Sequence, residues 1–311
     1  MPLPETYSFT RYLSAKKSVD DRALNRPVWV ALSQALPLTT PQTPLRVLEI
    51  GAGAGAMFER MLTWGMLTYA EYTAIDLDEA NIASARQQMP RWADQQGFRT
   101  QTSSQNELIF TNDALSVTLH LEAIDLFDFI ARQRGRRAWD LLVAHAFLDL
   151  MDIPALLPRL FGLCKPGGLF YFTINFDGLT LLEPVIDLAF DDLVLNLYHR
   201  TMDERRINDK PSGDSRAGRH LFHQIKSAGA EVFAAGASDW VVTPGPRGYP
   251  QDEAYFLHFI VHTIHQALAG HAELDAPRFE RWIAERHAQI EHEELVYIAH
   301  QLDHAGRVGG Q

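Results

Sequence analysis

A single cysteine, Cys164, stands in this chain of 311 residues, so no internal disulfide can brace it, and its use fits a reducing compartment. Basic residues are scarce too: 28 Lys and Arg against 39 Asp and Glu leave a formal net charge of −11. Such a surface argues against long nucleic-acid ligands, because phosphate contacts need clustered cations. The one compact basic run, Arg132, Arg134, Arg136 and Arg137, falls where a solvated helix end or surface loop is expected. Long apolar runs are missing as well. The stretch near Phe256–Ile264 is broken by His258 and His262 and is too short to span a bilayer. Pro2, Pro4 and Glu5 replace the charged start and apolar run of a signal peptide, so a cytoplasmic, non-membrane protein is expected. The length allows one elaborated domain with a substantial core.

What is present is a glycine-rich turn. Arg46-Val-Leu-Glu-Ile reads as a short apolar strand that ends in Gly51-Ala52-Gly53-Ala54-Gly55. Glycine lets the backbone turn sharply and approach a ligand closely, since no Cβ intervenes. A helix from about Met57 to Leu62 would aim its free amides at that ligand. The turn therefore predicts a nucleotide-like cofactor across the first βα unit of a parallel sheet. Glu49 argues against the pyrophosphate of NAD, which it would repel, and for a cofactor with a cationic amino-acid end such as S-adenosylmethionine. Tyr72-Thr-Ala-Ile-Asp76 reads as the next strand, ending in a carboxylate suited to two ribose hydroxyls. Asp78 competes for that role but better suits the N-cap of the following helix, Glu79 to about Gln88.

These pieces resemble the class I S-adenosylmethionine-dependent methyltransferases. The resemblance is carried by Val47–Gly55, Ile75-Asp76-Leu77, Ala123-Ile-Asp125-Leu126, Trp139–Asp149 and Leu163–Phe172, in order, over roughly residues 45–175. It implies that Glu49, Gly51, Ala52 and Gly53 hold the methionine end, Asp76 and Leu77 the ribose side, and Asp125 and Leu126 the adenine. The tip of the fourth strand, with His145, would face substrate, and Lys165-Pro-Gly-Gly168 would be a structural turn.

The expected fold is α/β, a doubly wound, mostly parallel seven-stranded sheet with helical cap insertions. Strands are predicted near 46–50, 72–76, 116–123, 140–145 and 168–175, with a small hairpin turned by Asn112-Asp113. Helices should cover much of 8–36, with Pro27 in the first turn of the second. After Asn175 the pattern predicts a helix over Leu181–Arg200, a polar loop over 208–217 and a helix over Gly218–Ala228. A strand over Glu231–Val242, helices near 252–269 and 276–292, and a last strand from Leu295 follow. By the resemblance, that strand is antiparallel and inserted beside the sheet edge. Residues 1–40 would form an N-terminal helical cap on a domain of 41–311, with insertions at about 178–214 and 245–292 that enclose a small-molecule pocket.

Methyl transfer requires a nucleophile in line with the S–CH₃ bond and exclusion of water. A general base helps when the nucleophile is a hydroxyl or a protonated amine. His145 is the first candidate, with a strand-end histidine bonding a loop carbonyl or the cofactor as the plainer reading. His199, at the end of the inserted helix beside Tyr198, is the second. Its plainer reading is a surface histidine at a helix C-terminus. Asn175 and Asp177 are candidates for substrate contacts, or else ordinary turn residues. In the polar N-terminal helix, Tyr12, Lys17, Asp21, Arg22 and Asn25 are placed to close over the cofactor, Arg22 reaching its carboxylate. The competing reading is a charged amphipathic helix with Asp20 or Asp21 near its start.

Thirteen histidines raise the question of metal, above all His258, His262 and His265 on one helix. No Glu follows His258 and no cysteine or acid completes a set, so no metal site is expected. Those histidines, Tyr255 and Trp240 remain open as contacts for an aromatic or anionic substrate. The function expected is methyl transfer to a small molecule, with the acceptor atom and the oligomeric state unspecified. The alternative is a cofactor-binding scaffold or sensor without catalysis. Ala144-His-Ala-Phe147 also lacks the Asn/Asp-Pro-Pro-aromatic tetrapeptide expected of an enzyme that methylates nucleic-acid amino groups.

Overall fold

The computed structural model describes residues 1–136, 138–207 and 209–310. Arg137 of the basic run and Asn208 of the expected polar loop lie outside the described residues. Two helices open the chain, α1 (Phe9–Ala23) and α2 (Arg26–Ala35). Ser8 and Asn25 cap them through their side chains, and Pro27 stands in the first turn of α2, where its missing N–H costs nothing.

The sheet begins with β1 (Leu45–Ile50), α3 (Ala56–Thr63), β2 (Tyr69–Asp76) and α4 (Glu79–Gln95). The hairpin of β3 (Arg99–Thr102) and β4 (Leu108–Thr111) precedes β5 (Ser116–Ala123), α5 (Leu126–Arg132), β6 (Trp139–His145) and α6 (Ile153–Phe161). Next come β7 (Cys164–Glu183), α7 (Leu188–Asp203), the short pair β8 (Arg206–Ile207) and β9 (Lys210–Pro211), and α8 (Ala217–Ser227). The chain finishes with β10 (Ala230–Ala237), β11 (Trp240–Val242), α9 (Glu253–Leu268), α10 (Ala276–Glu291) and β12 (Val296–Val308).

The strands run in the order β10-β12-β7-β6-β1-β2-β5-β4-β3, with β11 also paired to β12. The central strands β7, β6, β1, β2 and β5 are parallel, while β12 is antiparallel and lies between β7 and β10. This is the doubly wound, mostly parallel sheet expected, but with ten strands rather than seven, because antiparallel β4 and β3 widen one edge and β10 and β11 both pair with β12 at the other. The strand order reverses between β1 and β6, and the crevice at their carboxyl ends is where such sheets take ligands. Apolar side chains alternate across β1: Leu45 and Val47 join the core under α2, α3 and α4, whereas Leu48 and Ile50 join the opposite core under α5, α6 and α8. A third core belongs to the cap, where α7, α9 and α10 meet Ala15 and Val19 of α1 and Phe176, Leu182 and Tyr297 of the extended strands.

The cap begins later than predicted. β7 does not stop near Asn175 but continues to Glu183, and α7 starts only at Leu188, not Leu181. The reason is a partner. β12 follows β7 antiparallel from Leu169 to Glu183, and that ladder satisfies backbone groups a helix would otherwise have to pair. Asn175 and Asp177 are therefore strand residues rather than members of a turn. β3 was not foreseen because Arg99-Thr-Gln-Thr102 carries no apolar alternation. α4 runs seven residues past the predicted Gln88, through Pro90, because Ala85, Met89 and Ala93 keep its inner face buried. The expected polar loop contains the two-residue pair β8–β9.

Candidate active site

After Ile50 the backbone passes through three left-handed glycines, with φ of 64° at Gly51, 54° at Gly53 and 88° at Gly55. A Cβ on Gly51 would collide with the Phe147 ring, so that position requires glycine for space as well as for conformation, while one on Gly55 would have to displace the flexible Met89 methyl. Ala52 donates its N–H to Ile75 O at 3.0 Å, which ties the loop to β2. Asp76, at the tip of β2, accepts from Gly53 N through Oδ2 at 2.8 Å. Its Oδ1 accepts from Asp78 N at 2.9 Å and Asn81 Nδ2 at 3.2 Å. The adjacent Leu77 is 73% exposed, an apolar side chain with no core to serve. Asp78, the competing acid, caps α4 as its spacing suggests. Asp125 caps α5 through Oδ1 at 2.7 Å from Phe127 N, and Leu126 turns into the core.

Glu49 lies beneath this loop, buried, and accepts a 2.7 Å hydrogen bond from the Tyr72 hydroxyl. Burial pushes its carboxyl up to about 8, the Tyr72 bond and the Arg60 charge opposing the rise only in part. A cation placed beside it would restore ionisation.

Helix α1 covers the loop. Leu13 Cδ1 is within 3.5 Å of the point where a Gly53 Cβ would be, and Lys17 pairs with Glu59 of α3 at 2.9 Å. Asp20 is the centre of the closure. Its Oδ2 lies 2.9 Å from His145 Nε2 and 2.8 Å from Lys16 Nζ, and its Oδ1 accepts from Trp240 Nε1 at 2.8 Å. Arg60 of α3 donates to Asp21 at 2.6 Å and to Lys17 O at 3.3 Å, and approaches His145 Nε2 to 3.2 Å. Burial alone would raise the Asp20 carboxyl, but Lys16, His145 and Arg60 overcome it and hold Asp20 far below the usual range. Burial also pushes His145 down to about 4, against the pull of Asp20. A neutral imidazole that donates from Nε2 to Asp20 and accepts at Nδ1 from the Thr173 hydroxyl, 2.8 Å away, satisfies both contacts. Both nitrogens of the expected base are thus engaged by protein.

Several expected contacts are committed elsewhere. Arg22 forms a two-pronged pair with Glu253 of α9, at 2.5 and 2.8 Å, and so fastens the lid rather than facing a cofactor carboxylate. Asn25 caps α2 and reaches Ala237 O at 2.8 Å. Asp177 accepts from the backbone and side chain of Arg219, at 2.8 and 2.9 Å, and anchors the start of α8. Asn175 donates to Leu302 O at 3.0 Å. His199 bonds the Thr180 hydroxyl at 3.0 Å, and burial pushes it down to about 4. His258 meets His287 at 2.9 Å, His262 stacks on Tyr7, and His265 pairs with Glu280 at 2.9 Å, so the three do not converge. Among the described residues, no cluster of three or more metal-ligating side chains occurs.

Not singled out by the sequence reading are Tyr297 and Asp149. Burial raises the hydroxyl pKa values of Tyr12 of α1, Tyr198 of α7 and Tyr297 of β12; Tyr297 and Tyr198 add to the rise at Tyr12, and Tyr198 to that at Tyr297. Asp149, in the one-turn 3₁₀ helix that follows β6, adds to the rise at Tyr12 and Tyr198. Asp149 closes the Trp139–Asp149 run already quoted, so only its role was hidden. A left-handed cradle that no side chain can fill, an acid at the β2 tip beside an exposed leucine, and a buried acid awaiting a cation together fit S-adenosylmethionine. Gly51, Gly53 and Glu49 would hold its amino-acid end, Asp76 the ribose and Leu77 the adenine side.

Comparison with known proteins agrees. Residues 48–170 match the family described as "Methyltransferase domain". No curated protein matches the sequence. Among solved structures, a protein from Anaeromyxobacter dehalogenans given as a type II methyltransferase is 14% identical and covers 92% of this chain and 97% of its own, with a TM-score of 0.50. Phosphoethanolamine N-methyltransferase 2 of Haemonchus contortus is 13% identical, covering 99% of this chain and 60% of its own, at 0.45. A cyclopropane synthase of Mycobacterium tuberculosis is 11% identical, covering 98% and 100%, at 0.44. Glycine cradle, strand order and family match agree over residues 48–170, a stretch similar to S-adenosylmethionine-dependent methyltransferase domains.

Proposed function

We propose that the protein transfers a methyl group to a small molecule held in the chamber between α1, α7, β12 and the tip of β6. The observation that supports this reading is enclosure. Tyr12, Tyr198 and Tyr297 are all held in the cap core or against it, and α1 is latched over the glycine loop by Asp20, Asp21, Lys17 and Arg22. A polymer would need an open groove, and the net charge of −11 disfavours polyphosphate chains.

The cofactor supplies a methyl already activated on a sulfonium. The chain's own tasks are then to bind, orient and exclude water. Gly51 and Gly53 allow close backbone approach, Asp76 fixes the ribose, and Leu77 with Leu126 and Asp125 frame the base. Glu49 meets the ammonium. Tyr198 and His199 contribute to the acceptor side from α7, with Asn175 and Asp177 supporting its wall from β7. His145 acts as a positioning residue that joins lid to floor, and serves as a base only where acceptor binding frees one of its nitrogens. No helix among the described residues is long and apolar enough to cross a membrane.

The test is release of S-adenosylhomocysteine from the purified chain offered pools of small amines, alcohols and thiols, and separately RNA, DNA and protein. Turnover with a small-molecule pool is expected. Turnover confined to a polymer overturns the proposal.

A further inference from the structure

Asp149 is anomalous in this chamber. Its Oδ1 is buried and has no hydrogen-bond partner, an arrangement that folded proteins rarely tolerate without a reason. Cations stand near but are taken. Lys16 pairs with Asp20 at 2.8 Å, and Arg205 donates to Ser212 O and Leu150 O, both at 2.6 Å. Arg60 serves Asp21 and Lys17 O. Tyr12 and Tyr198 pack against the cap core that contains Tyr297, and the charge of Asp149 raises the hydroxyl pKa values of Tyr12 and Tyr198. None of these hydroxyls bonds a protein group among the described residues, whereas the Tyr255 hydroxyl bonds the Ser8 backbone. A carboxylate with one buried, unpartnered oxygen and phenols nearby can take a positive charge with N–H donors.

We propose that the acceptor is an amine, bound as its ammonium ion by Asp149 with Tyr12, Tyr198 and Tyr297, and that Asp149 takes its proton before methyl transfer. This deepens the small-molecule reading and rests on it. The step balances. An N–H bond of the ammonium breaks and its proton passes to Asp149, which leaves a lone pair on nitrogen. That pair forms the N–CH₃ bond as the S–CH₃ bond breaks, so the sulfonium charge ends on the methylated amine and the sulfur leaves as the neutral thioether of S-adenosylhomocysteine. Asp149 then returns its proton to solvent. A carboxyl pushed up to about 6 by burial, as Asp149 is, accepts that proton more readily than an ordinary one.

The experiment is calorimetric titration of the full chain, saturated with S-adenosylhomocysteine, using matched sets of probes. Methyl, benzyl and phenethyl groups are each presented as the amine, the alcohol and the carboxylate. At least one amine should bind about tenfold or more tightly than its alcohol and carboxylate partners. Asp149→Asn, nearly isosteric, should weaken that amine at least about tenfold while S-adenosylhomocysteine binds as before, and Tyr198→Phe should give a smaller loss. Binding of no amine, equal binding of an alcohol or carboxylate, or an unaltered amine affinity in Asp149→Asn overturns the inference. Turnover of small alcohols or thiols with none of amines would sink the amine assignment and spare the small-molecule reading. Turnover of polymers alone would sink both.

Discussion

Asp20 and His145 meet at 2.9 Å, and that one contact joins the first helix of the chain to the tip of the strand beside the glycine turn. Neither residue is adjacent to the other in any local motif, since 125 positions separate them. The Asp20 carboxylate also gathers Lys16 of its own helix and Trp240, so with its neighbour Asp21 it fixes the lid at three points, His145, Trp240 and Arg60.

Removing that carboxylate leaves Lys16 buried without its counter-charge and the Trp240 N–H and His145 without their acceptor, while Arg60 keeps Asp21. Asp20→Ala should cost about 3–5 kcal/mol of stability, the range for breaking a buried pair by deleting one partner. Urea denaturation of the two proteins measures this directly, and an unchanged midpoint would show that the latch contributes nothing.

Gly51→Ala should weaken S-adenosylmethionine binding by about tenfold or more, because the new Cβ meets the Phe147 ring at a left-handed position. Gly65→Ala is the matched control: it has a φ of 75° but nothing within 4 Å of an added Cβ. It should lose about 1 kcal/mol of stability from backbone strain and keep its cofactor affinity.

Asp76 has two tasks, and two substitutions separate them. Asp76→Asn keeps an oxygen for Gly53 N but sets its NH₂ against Asp78 N and Asn81 Nδ2, and should weaken the charge-assisted bonds to the ribose while keeping the Gly53 bond. Asp76→Ala removes both and should bind the cofactor more weakly than Asp76→Asn. Calorimetry with S-adenosylhomocysteine ranks them, and equal affinities would mean that the Gly53 bond has no part in binding.

Glu49 predicts a pH dependence of opposite sign to an ordinary carboxylate. Its folded pKa of about 8 lies above the ordinary value of 4.5 that the unfolded chain would show. Between those values the folded protein holds a proton the unfolded chain releases, so the Glu49 contribution to stability is intact below pH 4.5 and is lost as pH rises toward 8. The slope is at most about 1.4 kcal/mol per pH unit. Glu49→Gln should flatten that slope, and the wild type should release a proton when S-adenosylmethionine binds near pH 7, detectable as a buffer-dependent binding enthalpy.

Much of the fold is written locally. Apolar alternation, glycine turns and capping residues located the parallel strands and most of the helices, because each signal lies within a few residues of the structure it specifies. The end of β7 was illegible because its partner, β12, is more than a hundred residues away, and an isolated Leu181–Leu188 looks as helical as it looks extended. The site divides in the same way. Gly51, Gly53 and Asp76 announce themselves by motif. Asp20 instead reads as a charged helix residue, Arg60 as a surface cation and Asp149 as a turn acid. Only the packing of α1 onto β6 turns those into a buried network, and Arg22 was assigned to a ligand because its true partner, Glu253, stands on a helix 231 positions away.

The twenty residues of β7 form part of the floor at one end and of the cap at the other. Floor and cap therefore share one unbroken beam, reinforced by β12 along most of its length. A clamshell movement of the whole cap would have to bend that beam. The part of the lid free of that beam is α1, which reaches α2 through only Leu24 and Asn25 and is otherwise held by side chains.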